Sequence, residues 1–255
     1  MKKITSKDNQ IFRLCGRLTL RKYRDQEGLY LVEGEKLVRE ALATGQNVKT
    51  IIISEECGIP PAFSADTVFM EGRLFSKLAQ TKTTQGILAI VEKRELTEED
   101  FLKKTDRKSG NVVLLDRLQD PGNIGTIIRT ADAAGYSGVM TIKGTADLYS
   151  SKIVRAAAGS LFRMPVFAAD SPEQAVSVLE RAGKTILATG FDTDLYYYDI
   201  DMKRNIGLII GNEGNGISTE LMAMAHRIIK IPMDGDIDSL NASVAAGILM
   251  YESMR

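Results

Sequence analysis

The chain has 255 residues, 44% of them hydrophobic and 26% charged, which is apolar material for a packed core of more than one average domain and excludes a disordered or fibrous protein. Lys and Arg balance Asp and Glu at 33 each, but residues 1–110 carry 20 bases against 16 acids, and residues 111–255 carry 13 against 17. With two cysteines (Cys15, Cys57) and one histidine (His226), a disulfide framework is excluded and a zinc cluster nearly so.

No stretch approaches the roughly 20 apolar residues of a membrane span, and the opening MKKITSKDNQ lacks the apolar run of a secretory signal. The expectation is a cytoplasmic protein with no membrane segment and no metal. The first 24 residues hold eight bases (Lys2, Lys3, Lys7, Arg13, Arg17, Arg21, Lys22, Arg24) against one acid, Asp8. Such an arm suits a polyanion, because each neutralised phosphate releases counterions. A solvated helix face explains the same residues equally well.

Leu29 to Glu35 reads as a strand running into a turn, and Glu35 to Leu42 as a helix, with Leu37, Val38, Ala41 and Leu42 at helical spacing. Val48 to Ser54 and Gly86 to Glu92 read as strands, with a turn at Pro60-Pro61 between them. Residues 93–110 are polar and contain a short helix signal, Thr97 as N-cap followed by Glu98, Glu99 and Asp100. A domain boundary is expected there.

The second half changes character. Asn111 to Leu115, Gly138 to Ile142, Lys184 to Thr189, Asn205 to Ile210 and Ile228 to Ile231 are short apolar runs. Helical patterns separate them. One opens at Pro121-Gly122-Asn123 with Ile124, Ile127, Ile128 and Ala131 as a stripe; others span Ser150 to Leu161, Ser171 to Ala182 and Ser218 to Ala225. A last helix, Leu240 to Ser253, has Val244, Ile248 and Tyr251 on one side, equally suited to a core or to a partner. Strands without polar alternation, separated by helices, point to an α/β fold whose mostly parallel sheet is covered on both faces.

In such a sheet ligands bind where loops leave the carboxyl ends of strands. Three loops here are unusual: Asp116 to Gly125, followed by Arg129; Gly211 to Gly216; and Ile231 to Asn241. Singly, each has an ordinary explanation. Asn123, Ser239 and Asn241 suit helix caps, Arg129 a surface position, Glu213 an ion pair, and the glycines a left-handed turn.

Their wording is more specific. The ordered trio N-x-G-x-x-x-R (Asn123, Gly125, Arg129), G-x-E-G-x-G (Gly211 to Gly216) and I-P-M-x-G-x-x-x-S-L-N-x-S-V-A (Ile231 to Ala245) closely resembles the SpoU/TrmH family of RNA ribose 2′-O-methyltransferases. Ala242, where that family often has Val, is a minor departure. The strings from Glu33 to Ala41 and Gln85 to Ala89 resemble the family's ribosomal-protein-like substrate-binding domain. The resemblance implies an RNA substrate-binding domain over 1–100, a linker over 101–110 and a methyltransferase domain over 111–255. It also implies a trefoil knot, a rare exception to the usual topology rules, and a homodimer.

The resemblance further implies S-adenosylmethionine (AdoMet) as methyl donor, contacted by Gly211, Ile231 and Leu240, with Gly190 assigned to the same pocket. Arg129 would have the central catalytic role. Because a guanidinium stays protonated, its part would be to clamp phosphate and polarise the hydroxyl, not to act as a simple base. Asn123, Glu213, Ser239 and Asn241 would orient Arg129 and the ribose. Lys7, Arg13, Arg17, Arg21, Lys22 and Arg24 would position the RNA backbone. The expected substrate is 23S ribosomal RNA, with transfer RNA second and a non-catalytic RNA-binding or ribosome-assembly role third. A dinucleotide oxidoreductase is disfavoured, since its glycine fingerprint follows the first strand of a βαβ unit.

Overall fold

The computed structural model describes residues 3–58, 63, 65–81, 83–105, 110–235 and 239–255. The chain divides into two compact units, one of Met1–Arg94 with Asp147–Phe162, the other of Glu95–Ala146 with Arg163–Arg255. In chain order the elements are β1 (Lys3–Ile4), α1 (Gln10–Leu18), α2 (Arg21–Glu27), β2 (Leu29–Glu33), α3 (Glu35–Ala43), β3 (Val48–Ser54), β4 (Thr67–Met70), α4 (Gly72–Leu78) and β5 (Ile87–Glu92). There follow α5 (Glu98–Thr105), β6 (Val112–Leu115), α6 (Pro121–Ala133), β7 (Gly138–Ile142), α7 (Ser151–Ala156), α8 (Ser160–Arg163), β8 (Val166–Ala169) and α9 (Pro172–Arg181). The last are β9 (Thr185–Thr189), a 3₁₀ turn (Tyr197–Asp199), β10 (Ile206–Ile210), α10 (Thr219–Met224), β11 (Arg227–Ile229) and α11 (Ala242–Glu252).

The first unit is built on a mixed five-stranded sheet in the order β1-β4-β3-β5-β2. The strand β5 runs antiparallel to both β2 and β3. Ile52, Met70, Leu88 and Ile90 from its strands pack with Cys15 and Leu18 of α1 and Leu74, Phe75 and Leu78 of α4. The helix α1 starts at Asn9, whose side chain accepts from the Ile11 N–H at 2.9 Å. Its apolar positions Ile11, Leu14, Cys15 and Leu18 follow helical spacing, so the basic arm is half of an amphipathic helix. The segment Asp147–Phe162 lies in this unit. Its Asp147 pairs with Arg24 at 2.6 Å, and the backbone carbonyl of Phe162 accepts from Gln46 Nε2 at 2.9 Å.

The second unit carries a six-stranded sheet, β11-β9-β10-β6-β7-β8, all of whose pairs are parallel. Every residue of β6, β7 and β10 is buried, which needs cover on both faces and explains their unbroken apolar runs. On one face Val112, Leu114, Met140, Ile142 and Ile209 pack with Phe101 of α5 and Val176 and Leu179 of α9. The chain runs outward through β6, β7 and β8, then returns to the other side of β6. The order therefore reverses between β6 and β10, the switch point at which parallel sheets bind ligands.

Three expectations are corrected and one open alternative is narrowed. The helix expected over Ser150 to Leu161 is broken into α7 and α8, because Ala158 and Gly159 take positive φ (49° and 92°). The elements β1, β4, β8, α1, α2 and α4 were not expected. Asn123 is not the cap of its helix: Asp120 is, accepting from the Asn123 N–H at 2.8 Å. The side of α11 bearing Val244, Ile248 and Tyr251 is exposed, while Ala246, Leu249 and Met250 are buried. The Thr97 cap stands as read, its hydroxyl accepting from the Asp100 N–H at 3.2 Å. The turn at Pro60-Pro61 lies outside the described residues.

Candidate active site

Strands β6 and β10 are in register, with Leu115 opposite Ile210, so the loops that follow them start side by side. The Asp116 N–H donates to the Ile210 carbonyl at 2.9 Å, and the fully buried Asp116 carboxylate accepts from the Ser218 N–H at 2.7 Å. The second loop closes on itself through a pair of 2.9 Å backbone bonds between Asn212 and Gly216. Gly211 is required by that closure. A Cβ there would lie 2.3 Å from the Gly216 carbonyl carbon and 2.4 Å from the Ile217 nitrogen, both backbone atoms that cannot step aside.

Glu213 sits on this loop and reaches back to the first. Its carboxylate accepts from the Gln119 N–H at 3.1 Å, the Asp120 N–H at 3.0 Å and Asn123 Nδ2 at 3.2 Å. Burial pushes its pKa up, but the donors on Gln119, on Glu213's own backbone, on Asn123 and on Asp120 outweigh burial and hold it below the ordinary value. Glu213 is thus an ionised anchor. Asn123 in turn accepts from Asn241 Nδ2 at 3.0 Å. Asn241 Oδ1 caps α11, accepting from the Ser243 and Val244 N–H groups at 2.9 and 3.3 Å. One chain of hydrogen bonds therefore joins all three loops.

Of the other candidate catalytic residues, Ser239 is exposed two positions before Asn241, and Arg129 is exposed on α6. Among the described residues Arg129 has no ion-pair partner. Asp236 to Asp238 of the third loop lie outside the described residues. The cationic candidates of the first unit separate into two groups. Lys7, Arg13, Arg17, Arg21 and Lys22 are exposed, with Arg13 paired to Asp8, Arg17 to Glu27 at 2.6 Å and Arg21 to Asp25 at 3.5 Å. Arg24 points inward, holding Asp147 and donating to the Leu18 carbonyl at 2.8 Å, so its guanidinium is not on that surface.

An open cleft of about 490 Å³ lies at the carboxyl ends of β9 and β11, lined by Phe191, Tyr196, Lys230, Ile231, Pro232, Met233 and Gly235. Among the described residues Ile231 is the only cofactor candidate on its wall. Gly190 immediately precedes the wall residue Phe191, and its N–H donates to the Ile229 carbonyl at 3.0 Å. Gly211 and Leu240 are not among the lining residues. Sequence reasoning missed Phe191, Tyr196 and Lys230. The run Tyr196-Tyr197-Tyr198 in a chain with only 6% aromatic residues was the available signal. Lys230 Nζ stands 4.9 Å from the centre of the Tyr196 ring.

Residues 110–251 match the family described as SpoU rRNA Methylase, and residues 9–89 match an MRM3-like substrate binding domain. The chain is 37% identical to the 23S rRNA (guanosine(2553)-2′-O)-methyltransferase RlmP of Bacillus subtilis (strain 168), over 98% of each chain. It resembles the AdoMet-bound rRNA methyltransferase of Sinorhizobium meliloti with a TM-score of 0.87 and 33% identity, covering 99% of this chain and 97% of that one. The AdoMet complex of the SpoU methyltransferase AviRb from Streptomyces viridochromogenes gives a TM-score of 0.87 and 30% identity, covering 96% and 97%.

Proposed function

The chain belongs to the SpoU rRNA methylase family, and from that premise we propose that it methylates a ribose 2′-hydroxyl of 23S ribosomal RNA. It is an AdoMet-dependent RNA ribose 2′-O-methyltransferase. The observation that carries the reading is the chain Glu213–Asn123–Asn241, which draws the three motif loops together beside the switch point.

The cleft at β9 and β11 fits AdoMet. Its volume is in the range of small-molecule sites, and the exposed ring of Phe191 offers a face to an adenine, while the Tyr196 ring is taken by Lys230 and Tyr198. Ile231, with Gly190 behind Phe191, would line it, and Gly211 and Leu240 would complete the cofactor contacts. When bound, AdoMet supplies a methyl group on a positively charged sulfur that leaves readily.

The remaining tasks are alignment and removal of the 2′-OH proton. Arg129, exposed and without an ion-pair partner among the described residues, clamps the target phosphate and polarises the hydroxyl. Asn123, Ser239 and Asn241 orient Arg129 and the ribose. Glu213 holds Asn123 and the Gln119–Asp120 backbone in place. Its depressed pKa makes it a poor base, so the proton leaves to water or to another group.

On the same reading, the unit of Met1–Arg94 with Asp147–Phe162 serves as the RNA substrate-binding domain and the unit of Glu95–Ala146 with Arg163–Arg255 as the methyltransferase domain, α5 packing into the latter through Phe101. Lys7, Arg13, Arg17, Arg21 and Lys22 face the RNA backbone, while Arg24 serves them by holding Asp147. The methyltransferase domain carries the trefoil knot. The protein is a cytoplasmic homodimer joined through the exposed stripe Val244, Ile248 and Tyr251, a reading supported by three apolar side chains left uncovered on α11. Radiolabelled methyl transfer from AdoMet to separated 23S, 16S and transfer RNAs tests the substrate. Label is expected in 23S ribosomal RNA and absent from DNA, which lacks the 2′-hydroxyl. Label in transfer RNA alone, or in none, would overturn it.

A further inference from the structure

We infer that Arg117 is a second phosphate-holding residue of this site, gripping the RNA backbone through the terminal nitrogens of its guanidinium. The inference rests on the methyltransferase reading and adds a contact to it.

Arg117 has a φ of 55°, a left-handed conformation that suits glycine and is strained for a long side chain. The loop itself imposes it. The Arg117 carbonyl accepts from Asn212 Nδ2 at 2.8 Å and from Gln119 Nε2 at 2.9 Å, so the peptide must turn to meet both. A glycine would make both bonds without strain. What the arginine adds is its side chain, and strain kept beside a reaction site points to a use for it.

That side chain is aimed, not loose. Arg117 Nε donates to the buried carboxylate of Asp116 at 2.9 Å, which sets the plane of the guanidinium. Its stem lies against Gly144, where an added Cβ would come within 3.1 Å of Arg117 Cγ. Yet the side chain is 47% exposed, and among the described residues its two terminal nitrogens have no partner. A fork held at its base by a carboxylate and open at its tip matches the two oxygens of a phosphodiester. Two residues on, the Gln119 N–H is already bound to Glu213, so the fork opens beside the anchored loops. Arg117 is not on the wall of the cofactor cleft, which favours RNA over the carboxylate of AdoMet as its anion.

The test compares wild type with Arg117→Gly and Arg117→Lys. It measures Tm, AdoMet affinity by calorimetry, binding of transcribed 23S rRNA across a salt series, and methyl transfer. Arg117→Gly is expected to lower Tm, because the buried Asp116 carboxylate loses its cationic partner, but to keep its AdoMet affinity while RNA affinity falls about tenfold. The slope of log K against log salt should become shallower by about 0.7 to 0.9, one phosphate's worth. Arg117→Lys should retain the slope and lose part of the affinity, a rescue that loop packing would not produce. Unchanged RNA affinity and slope would overturn the inference. So would a fall in Tm with both ligands weakened together, or loss of AdoMet affinity alone. A wild type that binds this RNA without transferring methyl would overturn the enzymatic reading and leave the Arg117 result standing; one that binds no RNA overturns both.

Discussion

Asn241 donates its side-chain amide to Asn123 Oδ1 at 3.0 Å across 118 residues of chain, tying the cap of the last helix to the first turn of α6. Each partner has a second duty, Asn241 as the cap of α11 and Asn123 as a donor to Glu213. The two loops thus cannot shift independently without orphaning a polar group.

Replacing Glu213 by Gln places an amide NH₂ among donors that need an acceptor. Glu213 is exposed to solvent, so the hydrogen bonds lost there cost only about 0.5–1.5 kcal/mol, and Glu213→Gln should lower Tm modestly and reduce methyl transfer. The folded-state pKa of Glu213 lies below its reference value of 4.5. Its stabilising contribution is therefore complete above that pH and lost as pH falls through the folded pKa. The Tm gap between wild type and Glu213→Gln should be flat from pH 5 to 8 and shrink below about pH 4.5, read by thermal melts across that range.

Arg129 is exposed and makes no ion pair among the described residues. Its removal should leave stability within about 0.5 kcal/mol. If it clamps the phosphate and polarises the hydroxyl, Arg129→Ala should cut methyl transfer by about 100-fold or more, with AdoMet affinity unchanged. Single-turnover transfer and calorimetry on one preparation separate the two effects. Wild-type transfer by this variant would remove Arg129 from the mechanism.

The glycines of the second loop are not equivalent. Gly211→Ala forces a methyl into the backbone of Gly216 and Ile217, whereas a Cβ at Gly214 meets nothing nearer than Asn212 Oδ1 at 3.7 Å. Overpacking of this sort costs about 1–3 kcal/mol. Gly211→Ala should destabilise the fold and abolish AdoMet binding, while Gly214→Ala melts near wild type.

If the stripe on α11 joins two copies, Ile248→Glu should yield a folded monomer, since Ile248 is 36% exposed and outside the core. Sedimentation at matched concentrations should show the mass halved and circular dichroism unchanged. A wild type that sediments as a monomer would remove this interface.

The unbroken apolar runs of β6, β7 and β10 were readable because burial on both faces leaves no place for a polar residue. The edges were not. At two residues β1 carries no period, and β8, an edge strand buried at only two of its four positions, lacks the fully buried run that marks the central strands. The helix α1 was legible in Ile11, Leu14, Cys15 and Leu18, but its charges drew attention to the other face. Periodicity found the stripe of Val244, Ile248 and Tyr251 without saying which side of α11 faces the core, because α11 is apolar nearly all round. Arg24 looked like its neighbours in composition, and only Asp147, 123 residues away, separates it from them.

The amino-acid order alone determined the α/β class, the series of parallel strands and the three loops that carry chemistry, because burial and turn formation act on residues close together in the chain. The tertiary structure decided which groups meet: Glu213 with the Gln119–Asp120 backbone, Asn123 with Asn241, Arg24 with Asp147, and the buried Asp116 with the Ser218 N–H. The physical reason is range. A hydrogen bond across about a hundred residues exists only once the sheet has set the register of its strands, and no local pattern encodes that register.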